Sequence, residues 1–160
     1  MKQTITYILF TFVLLSQNGF AAFNQAADID LPGIDGNVQL ESLKGKVVYL
    51  DFWASWCQPC KNSFPWMHNM KQNYADQGLE ILAVNLDKDR KLADAFLKEM
   101  DINFKVAFDE SGGSASYYKL KGMPGSYLIG RDGKIHASHT GFREKDKNQI
   151  EQAIKTLLKK

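Results

Sequence analysis

The sequence predicts an α/β domain, with a central mixed β-sheet flanked by helices. Three observations carry this. Residues 47–52 and 80–86 are short, almost continuous apolar runs, as expected of central strands covered on both faces. Segments with apolar residues at helical spacing alternate with them. Further on, Tyr127-Leu128-Ile129 and residues 135–139 flank Arg131-Asp132-Gly133. Asp-Gly between two extended runs marks a hairpin, which adds antiparallel neighbours to the sheet.

The elements follow in order. Leu31-Pro32-Gly33 and Asp35-Gly36-Asn37 are turn signals around short extended pieces. After the first strong strand, a helix is expected from Cys57 to about Gln77, with Phe64, Met67, Met70 and Tyr74 on one side. Pro65 inside it predicts a kink, and Gly78 stops it. Asp87-Lys88-Asp89 opens the next helix, whose predicted apolar face is Leu92, Ala93, Phe96, Leu97 and Met100. Residues 104–108 read as a strand, Ser111-Gly112-Gly113 as a loop and 114–120 as a short helical piece. The closing helix is expected from about Lys147 to Leu158, burying Ile150, Ala153, Ile154, Leu157 and Leu158.

The chain begins with a basic residue, Lys2, an apolar stretch over 5–15, and small residues at Gly19, Ala21 and Ala22. That order reads as a secretory signal peptide over 1–21, cleaved after Ala21. The stretch is too short for a membrane span, which takes about 20 apolar residues. Residues 22–160 then form one domain, expected to be monomeric and periplasmic. The formal charge of +2 over 160 residues, spread along the chain, gives no basic surface for nucleic acid or an anionic membrane.

The two cysteines of the chain are Cys57 and Cys60, in Trp56-Cys57-Gln58-Pro59-Cys60 at a strand-to-helix junction. A helix N-terminus carries partial positive charge and unpaired N–H groups, which favour a thiolate. Cys57 is therefore expected as the exposed nucleophile and Cys60, one turn further in, as the shielded resolving thiol. Pro59 suits a first helical turn, and Trp56 and Pro59 are expected to limit access to the pair. A disulfide closing so short a loop stabilises little. A structural zinc site takes four ligands, and a second cysteine pair is lacking. His68, His136 and His139 read as ordinary surface or rim residues. Asp51 interrupts the apolar run of 47–52, so its carboxyl is expected on the buried side beneath Cys60. Burial raises a carboxyl pKa, fitting Asp51 to take the Cys60 proton and return it.

The stretch Tyr49-Leu50-Asp51-Phe52-Trp53-Ala54-Ser55-Trp56-Cys57-Gln58-Pro59-Cys60 resembles the active-site segment of the thioredoxin superfamily. From about Asp28 to Lys160 the chain resembles its TlpA/ResA-like branch of exported thiol:disulfide oxidoreductases. Lys44-Gly45-Lys46-Val47-Val48, Phe64-Pro65, Ala83-Val84-Asn85-Leu86-Asp87, Gly122-Met123-Pro124 and Tyr127-Leu128-Ile129-Gly130-Arg131-Asp132-Gly133 all match. The resemblance implies a thioredoxin-like fold with an N-terminal extension and a central helix-strand insertion over 86–111. It also implies a cis Met123–Pro124 bond facing the cysteines, with the Met123 backbone pairing with an incoming peptide. Protein thiols or disulfides are the implied substrates. The Cys57–Cys60 couple serves without further cofactor or metal, in the reducing direction. A membrane thiol transporter is the implied electron donor, and cytochrome c maturation an implied setting. The chain departs from the family in three places. Ser63 stands where ResA-like members often have glutamate, Gly125 where many have threonine, and Ala83 where thioredoxins place a lysine beside the aspartate.

Two other functions share parts of this pattern. A thiol peroxidase of the peroxiredoxin type has the same fold but needs a threonine and an arginine beside its cysteine, whereas Trp56 precedes Cys57 here. A copper-delivery or metal-binding module usually spaces its cysteines by three residues and adds a histidine such as His139.

Overall fold

A computed structural model describes residues 25–160. The expected signal peptide, 1–21, lies outside the described residues. After two short strands, β1 (Asp30–Pro32) and β2 (Asn37–Gln39), come β3 (Val47–Trp53), α1 (Gln58–Tyr74), β4 (Leu79–Asn85), α2 (Arg90–Lys98) and β5 (Lys105–Phe108). The chain continues through α3 (Gly113–Tyr117), β6 (Gly125–Ile129), β7 (Ile135–Thr140) and α4 (Glu144–Leu158). β1 and β2 form a small antiparallel ribbon, and the main sheet has the order β5-β4-β3-β6-β7. β3, β4 and β5 run parallel, β6 pairs antiparallel with β3, and β7 pairs antiparallel with β6. This is the mixed sheet expected, with β3 buried at every position.

Alternation along β3 divides the core. Val47, Tyr49 and Trp53 face a layer that includes Phe64 and Met67 of α1, Phe96 of α2 and Ile150 and Ile154 of α4. Val48, Leu50 and Phe52 face the other way. That second face is covered by Ala27, Ile29, Leu40 and Leu43 of the N-terminal extension, with Tyr118 and Ala115 from the α3 segment. Phe64 locks α1 in place. Its ring packs edge-on to Trp53 at 4.9 Å, to Phe96 at 5.1 Å and to Phe104 at 5.5 Å, each such pair adding about 0.5–1.5 kcal/mol beyond area burial.

Several sequence expectations shift. α1 continues through Pro65, whose missing N–H removes one bond to the preceding turn. It ends at Tyr74, and a 3-10 turn, Ala75–Gln77, leads to Gly78 at φ 96°. Leu92, expected on the buried face of α2, is 51% exposed, while Ala93 and Phe96 carry the packing. α4 starts three residues earlier than expected, at Glu144. Glu144 and Asp146 in its first turn suit the positive end of a helix, and Arg143 Nε donates to Asp146 Oδ2 at 2.7 Å.

Candidate active site

β3 ends at Trp53, and the chain turns through Ala54, Ser55 and Trp56 into α1. Cys57 is the N-cap of α1, with extended backbone at φ −86° and ψ 99°. Its Sγ accepts from the Cys60 N–H at 3.3 Å, and its carbonyl from Cys60 and Lys61 at 3.0 and 3.3 Å. The two sulfurs are joined in a disulfide with Cα atoms 5.3 Å apart. Cys60 is fully covered and Cys57 is 5% exposed. Cys57 is thus the more accessible of the two but less open than expected, because its sulfur is turned toward Cys60. Trp56 is 69% exposed. Pro59 occupies the first turn of α1.

A buried carboxylate that the sequence reading took only as a helix opener fixes this loop. Asp87 is 2% exposed. Its Oδ2 accepts from the Ser55 N–H at 2.8 Å and its Oδ1 from the Ser55 hydroxyl at 3.0 Å. Asn85 Nδ2 donates to Asp87 Oδ2 at 2.7 Å, and the Asp87 N–H returns to Asn85 Oδ1 at 3.0 Å. Asn85 itself is in register with Trp53 on β3. The carboxylate therefore ties the residues just before Cys57 to the end of β4. Its one trace in the sequence is a pair of polar residues, Asn85 and Asp87, at the end of an apolar strand.

Asp51 is buried at 1% exposure, on the β3 face that packs against α1, the helix carrying Cys60. Its Oδ2 finds no hydrogen-bond partner among the described residues. Burial pushes its carboxyl well above the usual aspartate range. Ala83 stands directly opposite it on β4 and Ser126 opposite it on β6. Tyr49 lies two residues earlier on the same face, where burial and the nearby Asp51 push its phenol upward.

The Met123–Pro124 bond is cis. Phe52 is in register with Gly125, so Pro124 lies at the end of the sheet where β3 enters the cysteine loop. Met123 packs against the cluster that contains Cys57 and Cys60, and the Pro124 carbonyl accepts from Gly141 N–H at 2.7 Å. Gly125 has a steric reason: a Cβ there would lie 2.2 Å from Leu120 Cδ1 and 2.7 Å from the Gly122 carbonyl. A threonine in this position would collide. The three histidines are engaged locally. His68 Nδ1 lies 3.0 Å from the Asp101 carbonyl, His136 pairs with Asp132 and His139 with Asp146.

A model of the AhpC/TSA family matches residues 23–138. The chain belongs to the AhpC/TSA family. Among curated relatives, the thiol-disulfide oxidoreductase ResA of Bacillus subtilis (strain 168) is 32% identical over 136 residues, 84% of this chain and 76% of that one. ResA of Bacillus thuringiensis subsp. konkukian is 35% identical over 120 residues, 75% of this chain and 68% of that one. A crystal structure from Chlorobium tepidum, described as thiol:disulfide interchange protein DsbE, is 48% identical with a TM-score of 0.84, covering 85% of this chain and 96% of that one. Within the AhpC/TSA family the chain takes its place among the thiol:disulfide oxidoreductases, with a thioredoxin-like fold and Cys57–Cys60 as its redox pair.

Proposed function

We propose that this protein is an exported protein-disulfide reductase, directed to the periplasm by a leader over 1–21. The observation that carries this is Cys57 at the N-cap of α1, with the Cys60 N–H 3.3 Å from its sulfur and Cys60 fully covered. In the reduced enzyme the Cys57 thiolate attacks a client disulfide, forming a mixed disulfide and expelling one client thiolate. The Cys60 thiol then passes its proton to Asp51 and attacks the Cys57 sulfur. The second client thiolate leaves, two electrons have passed to the client, and Cys57–Cys60 is oxidised. The Met123 backbone, beside cis Pro124, pairs with the client strand, and Trp56 and Pro59 shape its approach. The couple needs no further cofactor. A membrane thiol transporter returns the electrons, and the clients include cytochrome c precursors.

Replacing Cys57 with serine is expected to abolish insulin disulfide reduction. Cys60→Ser is expected to accumulate clients trapped on Cys57 in the native host, and their identities test the cytochrome c assignment. Activity retained by Cys57→Ser would overturn the proposal. Rapid peroxide consumption, or copper binding that depends on His139, would move it to the peroxidase or the copper-delivery alternative.

A further inference from the structure

With Asp51 acting as the proton acceptor, on which this inference rests, its proton needs a way out once the disulfide has closed. Asp51, on the face of β3 that packs against α1, is 1% exposed, and Cys60 on α1 is fully covered. On β4 its neighbour is Ala83, which has no group to carry a proton. On β6 its partner is Ser126, and the partner of Ser126 on β7 is His139. Directly opposed antiparallel residues share a face, with Cβ atoms about 4.5–5.5 Å apart. Asp51, Ser126 and His139 therefore form one polar row across three strands, on the face covered by α1 and α4. Ser126 is 4% exposed. A cavity of about 80 Å³ lies beside the outer part of the row, lined by Tyr49, Ser126, His139 and Ile150 among others, which is room for at least one water.

The outer end of the row opens to solvent. The His139 side chain is 26% exposed, and its Nε2 lies 3.3 Å from Asp146 Oδ2. Asp146 also accepts from Arg143 Nε and Nη2 at 2.7 and 3.3 Å. A carboxylate in this place orients the imidazole, the side chain best suited to exchange protons near neutral pH. Ser63, the buried hydroxyl on α1 next to the cysteines, is already committed to the Cys60 carbonyl at 2.9 Å. The charged or titratable groups around the row are thus Tyr49 on β3, Cys60 on α1, and Arg143 and Asp146 at the start of α4.

We propose that Ser126 and His139 are the route by which the proton held on Asp51 passes to solvent after oxidation and returns on reduction. The hydroxyl accepts a proton at its oxygen and gives its own to the next group. The imidazole then releases one to solvent at the sheet edge.

The test is stopped-flow oxidation of the reduced protein by an aryl disulfide whose leaving thiolates stay unprotonated and coloured. Colour reports the sulfur steps: two electrons pass to the aryl disulfide and two aryl thiolates leave. A pH-indicator dye in weak buffer reports the single Cys60 proton. In the wild type the proton is expected to reach solution in step with the second thiolate. In Ser126→Ala and His139→Leu it is expected to lag by about tenfold or more, with the lag removed by added imidazole. Ser126→Thr, which keeps the hydroxyl, is expected to show no lag, which separates a relay from a packing effect. Proton release in step with the thiolate in both Ser126→Ala and His139→Leu overturns the route. Asp51→Asn tells the two levels apart. If it slows the second thiolate while those variants show no lag, the route alone fails. If it changes neither signal, the role of Asp51 fails and the route with it.

Discussion

Asp51 and Asp87 are both almost fully buried, yet their oxygens meet opposite surroundings. Asp87 accepts hydrogen bonds from Ser55 and Asn85. Asp51 leaves Oδ2 without a partner among the described residues, and desolvation pushes its carboxyl upward. An acid whose pKa is raised by folding binds more protons folded than unfolded, so it lowers stability as pH rises. The Asp51 contribution is intact below the ordinary aspartate value of about 3.9 and is lost as pH climbs from there through the raised native value. Asp51→Asn is therefore expected to be stabilised relative to wild type at neutral pH. The gain is about 1.4 kcal/mol for each pH unit by which the carboxyl is displaced, and it vanishes in acid. Urea unfolding of both proteins between pH 4 and 8 checks this, and a difference independent of pH would contradict it. The sequence revealed Asp51 because a charged residue stands out in an apolar strand. It could not reveal Ser126 or His139, because only strand register sets those side chains beside Asp51.

At the scale of elements, the loop between β3 and α1 depends on Asp87. The pairing of Ser55 and Asp87 spans 32 positions, which is why the sequence offered only a helix opener there. Asp87→Ala leaves the Ser55 N–H and the Asn85 amide without their acceptor, and is expected to cost about 2–4 kcal/mol. It is also expected to slow insulin reduction well below the unfolding transition. A variant that loses stability but keeps full activity at low temperature would show that the clamp serves folding alone. β3 and β4 were legible because each is a compact apolar run bounded by turn residues, and the β6–β7 hairpin because Asp132-Gly133 marks its turn. The start of α4 was misplaced because its first turn is polar and carries no apolar periodicity. Leu92 was misassigned because apolar character alone does not show which side of α2 meets the sheet.

Across the whole molecule, the sheet has a reactive end and an anchoring end. The cysteine loop, Asp87 and cis Pro124 gather at the C-terminal end of β3. At the other end, Arg131 of the hairpin donates to the Gly45 carbonyl at 2.8 Å and the Gln77 carbonyl at 2.9 Å, tying together the approaches to β3 and β4. Arg131→Ala is expected to lower stability by about 1–3 kcal/mol in chemical denaturation while leaving the rate of disulfide exchange unchanged. A change in that rate would mean the two ends are coupled. The N-terminal extension was legible only as turns, because its role is tertiary: Ala27, Ile29, Leu40 and Leu43 cover the face of the sheet turned away from α1.

The separate roles of Cys57 and Cys60 are tested most directly by alkylating the reduced protein across a range of pH and quantifying each cysteine by peptide mass spectrometry. Cys57 is expected to react first, with a thiolate pKa below the free-cysteine value of about 8.5, while Cys60 stays protected until the protein unfolds. Faster labelling of Cys60, or a Cys57 that titrates like a free thiol, would contradict the assignment.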